Sequence, residues 1–147
     1  MEKYNYPLTL KKLIDNLSTL QGIGNKTAER IAFNLIKMDS DYIPELTCSL
    51  NDLKQKIKIA PNCHCMTDQS ECINCGDLSR KRNLMCVVET QQDVFYIDKS
   101  GFKGIYHVLD GLVSPLDGIG EDDLNIANLQ KRLDGIDEVI LALPFTV

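Results

Sequence analysis

Four cysteines, Cys63, Cys65, Cys72 and Cys75, fall within a short segment in the middle of a 147-residue chain. Four thiolates at ~2.3 Å close a tetrahedral structural zinc site with no open coordination position. Such a site is a staple rather than a catalyst. The second pair, Cys72-Ile73-Asn74-Cys75 followed by Gly76, has knuckle spacing. The first pair has a single residue, His64, between its cysteines, one fewer than usual. His64 is the substitute donor if Cys63 or Cys65 fails to reach the metal. The bland alternative is a loop with free thiols. Cys48 and Cys86 lie outside the cluster and are expected to be small buried apolar residues.

A second chemical feature precedes the cysteines. Gly22-Ile23-Gly24 separates two segments with helical periodicity. A tight glycine turn leaves the first backbone N–H groups of the following helix without partners, and the helix dipole adds partial positive charge there. Both favour an anion. Lys26 and Arg30 are four residues apart and share one face of that helix. Thr27 adds a hydroxyl donor. Gly22, Gly24, Lys26, Thr27 and Arg30 together suit phosphates of a DNA backbone without reading bases. The competing reading is a plain helix–helix turn with surface charges.

Acids form a third group. Glu89 follows a short apolar segment, Asp110 follows another, and Asp117, Glu121, Asp122 and Asp123 crowd the next loop. Metal-dependent phosphoryl chemistry needs several carboxylates converging on one ion. The third apolar segment ends Leu143-Pro144-Phe145-Thr146-Val147, with no acid. The expectation is no catalytic site. Asp122 and Asp123 are expected to complement a helix dipole.

These groups must be positioned by the elements around them. Leu10, Leu13, Ile14 and Leu17 predict an amphipathic helix ending near Leu20. Asn25 is the expected N-cap of a second helix with Ala28, Ile31, Ala32, Leu35 and Ile36 on its apolar face. A third helix follows Asp41. Its stripe Ile43, Leu46, Leu50, Leu53 and Ile57 is expected to be core, or else a helix–helix contact between subunits. Pro44 falls in its first turn, where proline is tolerated. Ala60-Pro61-Asn62 leads into the cysteine segment, which Arg80-Lys81-Arg82-Asn83 closes. Beyond it the pattern reads strand (85–89), helix (90–99), strand (105–109), glycine-containing loop (111–120), helix (123–133) and strand (139–143). That alternation implies a parallel sheet covered by helices. The fold class is multi-module, α plus α/β, with a helical module over 1–60, a small zinc finger over 61–83 and an α/β part over 84–147.

Composition narrows the function classes. Hydrophobic residues make up 44% and charged residues 25%, as in ordinary globular chains. No apolar run approaches a membrane span. The first residues lack a secretory pattern, so the expected location is the cytoplasm, where thiols stay reduced. The net charge of −5 is unevenly spread. Residues 1–82 hold 12 basic and 10 acidic side chains, residues 83–147 hold 4 and 11. A polyanion is therefore expected on the N-terminal half.

Taken in order, the parts resemble the bacterial RecR family of recombination mediators. The stretches that carry the resemblance are residues 20–33 (LQGIGNKTAERIAF), Cys72–Cys75, Cys86-Val87-Val88-Glu89, and Ser114-Pro115-Leu116-Asp117-Gly118-Ile119-Gly120. The resemblance implies a helix-hairpin-helix, a four-cysteine zinc finger with one structural Zn2+, and an incomplete Toprim-like domain. It implies a non-enzymatic role in recombinational DNA repair. There the family acts with RecO, and in many bacteria RecF, to load RecA on single-stranded DNA, and it assembles as homo-oligomeric rings. Lys26 and Arg30 fall on positions taken to face DNA. The family's C-x-x-C first pair is Cys63-x-Cys65 here, and its terminal Asn-Pro-Thr-Val reads Pro144-Phe145-Thr146-Val147. Family members run on beyond this point. The chain is accordingly expected to be C-terminally shortened, with an exposed last strand, a part beyond about residue 84 that is sticky or marginal, and impaired ring closure. The rival readings are a degenerate Toprim-type DNA-processing enzyme and a protein-interaction adaptor whose acidic half docks a partner.

Overall fold

A computed structural model describes residues 6–144. The readings made on residues 1–5 and 145–147 lie outside the described residues. The chain forms two compact units, Met1–Asp52 and Leu53–Val147.

The first unit begins with α1 (Leu8–Ser18) and α2 (Asn25–Lys37). Their seam is narrow because two of its buried residues are alanines. Ile14, Ala28 and Ala32 are buried, with Leu10, Leu13, Leu17 and Ile23 packed around them. Tyr6 donates its hydroxyl proton to the Glu29 carboxylate and sets its ring edge-on to Phe33, centroids 6.0 Å apart. Ile36, expected on the apolar face, is exposed. The helix also starts differently from the expectation. Gly24, not Asn25, is the N-cap: its extended backbone (φ −82°, ψ 167°) offers a carbonyl that accepts from the Ala28 N–H at 2.9 Å.

Helix α3 (Tyr42–Lys56) has the periodicity expected of it and none of the burial. Ile43 and Ile57 are each 41% exposed, Leu50 61% and Leu53 63%. The reading of this stripe as core is overturned. Periodicity fixes which residues share a helix face, whereas burial needs an element to cover that face. No element among the described residues covers it. Cys48, on the same helix, is likewise exposed rather than buried.

The second unit is built on a three-stranded parallel sheet of order β4-β3-β5. β3 spans Lys81–Val88, β4 Gly104–Val108 and β5 Glu138–Ala142. Before it, β1 (Lys58–Ile59) pairs antiparallel with β2 (Met66–Thr67), and α4 (Ile73–Gly76) carries the knuckle. β3 begins earlier than expected, so Lys81, Arg82 and Asn83 belong to the sheet rather than only closing the cysteine segment.

Strand alternation divides the core of this unit. Cys86, Val88, Tyr106 and Val108 face one way, against Val94 and Ile97 of α5 (Gln91–Lys99) and against Ala60, Cys63, Cys65 and Cys72. Met85, Val87 and Ile105 face the other way, against Ile126 and Leu129 of α6 (Ile126–Lys131). Helix α5 opens with a capping box in which Thr90 and Asp93 satisfy each other's turn. Helix α6 starts at Ile126, three residues later than expected. Asp122 and Asp123 sit instead in a 3-10 turn over Glu121–Asp123, where the Asp123 carboxylate accepts from the Gly120 N–H at 2.8 Å. They therefore do not occupy the helix start assigned to them.

The two sheet edges differ. The Val108 N–H donates to the Cys63 carbonyl at 3.0 Å, so the cysteine loop lies against the outer edge of β4. On the other side, β5 pairs only with β3 among the described residues, and Val139, Ile140 and Leu141 are exposed. An uncovered strand edge is a ready site for further pairing.

Candidate metal centre and nucleic-acid interface

The local sequence explains how a one-residue spacer works in the first cysteine pair. His64 takes a left-handed backbone conformation (φ +58°). Its N–H donates to the Ala60 carbonyl at 3.0 Å, and the Ala60 N–H donates to the Cys65 carbonyl at 2.9 Å. This tight turn brings both cysteines into one buried pocket. The Sγ atoms of Cys63, Cys65 and Cys72 all lie within 4.8 Å of one another. Tetrahedral bonds of ~2.3 Å would set the sulfurs ~3.8 Å apart, so these three thiols could hold a metal ion with small adjustments. Cys75 is not in that mutual triangle.

His64 does not act as a spare ligand. Its Nε2 is 2.7 Å from Asn128 Nδ2, its ring stands edge-on to His107, and its carbonyl accepts from Gln91 Nε2 at 2.6 Å. The ring is committed to Asn128 and His107.

The electrostatics of the cluster follow from crowding. The Cys63 thiol is held down to about 7, first by its hydrogen bond with Cys65. Cys72 is lowered too, first by its hydrogen bond with Cys63. Cys65 and Cys75 are raised, first by their hydrogen bonds with Cys63, then by hydrogen bonds with Cys72 and by burial. Thiols that keep their protons stabilise the neighbours that lose them, and burial resists each further charge. A divalent cation removes that conflict, because a coordinated thiol is deprotonated outright. The donor set thus fits a thiophilic metal, with zinc a chemically suitable occupant.

Side chains from β3, α5 and the end of α6 fix the centre to the sheet. Gln91 Oε1 accepts from the Met66 N–H at 2.8 Å, Arg82 donates to the Cys75 carbonyl at 2.9 Å, and Arg132 Nη2 approaches Cys75 Sγ at 3.7 Å. Sequence reasoning placed Arg82 at the close of the segment without this contact and missed Gln91 and Arg132. No local pattern marks those two, since Gln91 is 25 residues from Met66 and Arg132 is 57 from Cys75. Arg80, counted with the basic run that closes the segment, turns inward. It pairs with Asp98 at 2.6 Å and donates to the Phe102 and Gly104 carbonyls.

The glycine turn lies between α1 and α2. Gly22 requires its residue type, with φ +82°. The Ile23 N–H closes the turn on the Leu20 carbonyl at 3.0 Å. Beyond Gly24 the first helical N–H groups, those of Asn25, Lys26 and Thr27, precede any intrahelical acceptor. Lys26 and Arg30 are exposed and Thr27 is half-buried. The arrangement can present N–H groups and two cations to an anion.

The acids are dispersed. Glu89 and Asp110 adjoin at the ends of β3 and β4, with the Asp110 N–H donating to the Glu89 carbonyl at 2.9 Å. The Asp117 carboxylate accepts from the Ser114 hydroxyl at 2.5 Å, inside a small turn that Gly118 (φ +73°) permits. The three cysteines are the one metal-holding group of this kind among the described residues.

Comparison with known proteins agrees with this layout. Residues 10–54 match the family described as RecR, helix-hairpin-helix, and residues 83–147 match the Toprim domain. The chain is similar to Recombination protein RecR of Natranaerobius thermophilus, 44% identical over 146 residues, covering 97% of this chain and 73% of the relative. It is 42% identical over 142 residues to the proteins of that name from Staphylococcus saprophyticus and Staphylococcus aureus, covering 95% of this chain and 72% of each. No helix among the described residues is long and apolar enough to cross a membrane. With a helical hairpin module, a cysteine cluster fit for a metal and a Toprim-like parallel sheet in this order, the chain belongs to the RecR family of recombination proteins.

Proposed function

We propose that this chain is a non-catalytic DNA-binding mediator of recombinational repair. It holds the phosphate backbone through Gly22, Gly24, Lys26, Thr27 and Arg30, independently of base sequence. Together with RecO, and with RecF where present, it promotes RecA loading on single-stranded DNA in the cytoplasm. Cys63, Cys65, Cys72 and Cys75 hold one structural Zn2+, and the functional modules are 1–60, 61–83 and 84–147. Self-assembly of the chain is part of this reading, and the exposed apolar stripe on α3 supports it. The observation that carries the DNA assignment is the pair of exposed cations, one turn apart, beside the open N–H groups that start α2.

The test is the salt dependence of binding. Each phosphate contact on single-stranded DNA contributes ~0.7 to the slope of log K against log salt. Changing Lys26 and Arg30 together to Ala is expected to flatten that slope by about 1.4 and to weaken binding to all sequences alike. An unchanged slope and affinity would move the DNA site off the hairpin. Arg80 would not replace it, because its guanidinium is committed to Asp98 and two backbone carbonyls.

A further inference from the structure

Arg132 lies just past the C-terminal end of α6, and its guanidinium reaches β4 and the cysteine cluster. Nη1 donates to the Tyr106 carbonyl at 2.9 Å and lies 3.0 Å from His107 Nδ1. Nη2 points to Cys75 Sγ at 3.7 Å. The His107 ring is locked between Arg132 and the Asn125 carbonyl, which its Nε2 meets at 2.9 Å. Since a guanidinium can only donate, Nδ1 of His107 accepts and Nε2 carries the proton. Nη1 is therefore held by two acceptors on β4 while Nη2 faces a cysteine sulfur. Arg82, on β3, holds the carbonyl of the same cysteine.

We propose that Arg132 is a positioning residue of the metal centre. It fixes Cys75 as a ligand and offsets the negative charge of the thiolate set from the sheet side. The proposal rests on the reading of the four cysteines as a zinc site. The chemistry is specific. Four thiolates around a divalent ion leave a net charge of about −2 in a buried pocket. A cation hydrogen-bonded to one sulfur lowers that cost and draws electron density from the sulfur. Cys75 is also the cysteine outside the mutual triangle of the other three, so it is the ligand that most needs an external anchor. Partners of this kind, one shell beyond the ligands, commonly change metal affinity by 10–100-fold.

The experiment uses the whole chain, reduced, stripped of metal and titrated with Co2+ and then Zn2+ against a chromophoric chelator. Wild type is compared with Arg132→Gln and Arg132→Lys. The expected result for wild type is one metal per chain with a tetrahedral thiolate Co2+ spectrum. Arg132→Gln is expected to weaken Zn2+ binding by 10–100-fold, to shift the sulfur-to-cobalt charge-transfer band to lower energy, and to speed alkylation of Cys75 in the loaded protein. Arg132→Lys should restore part of the affinity. A merely structural role would lower the melting temperature of the metal-free and loaded forms equally and leave the band in place, which would overturn the proposal. Equal affinity and spectrum in wild type and Arg132→Gln would overturn it as well. Wild type that takes up no metal would remove the zinc reading itself, and this proposal with it. If Arg132→Gln does not fold, the band position and Cys75 alkylation rate in Arg132→Lys decide: both unchanged from wild type would reject the role.

Discussion

Lys26 and Arg30 stand on a helix whose packing rests on two alanines and an isoleucine, whereas Cys63, Cys65 and Cys72 are themselves part of a core. In the first unit the candidate DNA-contacting side chains are exposed and the fold beneath them is slight. In the second, the candidate ligands touch Cys86, Val88, Tyr106 and Val108, so site and scaffold are one cluster. A phosphate contact works through long, solvated side chains and needs only a rigid backbone turn. A thiolate site needs its donors fixed closely and kept dry, so it must be built into the packing. The difference predicts that changes near the cysteines travel into the sheet, while changes at the hairpin leave the fold alone.

The largest expected effect lies in the sheet. A Cβ on Gly104 would meet the Phe102 ring at 2.4 Å and the Leu84 carbonyl oxygen at 2.5 Å. The carbonyl cannot retreat without disturbing the pairing of β3 with β4. Gly104→Val should destabilise the second unit by about 3 kcal/mol or more, at or above the usual overpacking cost. Far-UV helical signal from the first unit should survive after the second has melted. Loss of both units in one transition would break the comparison.

In metal-free protein a smaller effect is expected at the cysteines. Cys72→Ser places a hydroxyl where a thiol is 5% exposed. It should cost about 2 kcal/mol from polar burial alone, and more once metal binding is counted. Elemental analysis should show less zinc than in wild type, and chelator should lower the melting temperature of wild type but not of the variant. Wild-type protein prepared under reducing conditions and containing no zinc would refute this.

The smallest effect is expected on α3. Leu50→Lys with Leu53→Lys changes two residues that are more than half exposed. Stability of the isolated chain in urea should move by less than about 0.5 kcal/mol, while any self-association seen by native mass should weaken. A loss above about 1.5 kcal/mol at low protein concentration would show the stripe to be buried in the monomer.

The comparison also explains which features were legible beforehand. The longer helices and the three strands of the parallel sheet were, because each has a local cause, whereas the short β1–β2 pair, α4 and the 3-10 turn over Glu121–Asp123 were not read. Helical spacing in α1 and α2 and the short apolar runs of β3, β4 and β5 all depend on residues a few positions apart. The glycine turn was legible for the same reason, since Gly22 at φ +82° is a local backbone requirement. The stripe on α3 was misread because its spacing is local and its covering is not. Asn25 was misread as a cap because glycine can take that place with its backbone alone.

At the candidate metal centre, the sequence by itself determined the candidate donor atoms and the family, through the cysteine spacing, the glycine hairpin and the turn over Ser114–Gly120. Tertiary structure alone decided how those donors are held. A left-handed His64 turns the short first pair into a usable one and sends its own ring to Asn128. The Cys63 carbonyl lies along the edge of β4, Arg80 is drawn inward to Asp98, and Arg132 reaches Cys75 across 57 positions. Spacing specifies ligands because adjacent residues share a short stretch of backbone. It says nothing of partners from other strands and helices, because those meet only when the sheet and its crossovers close.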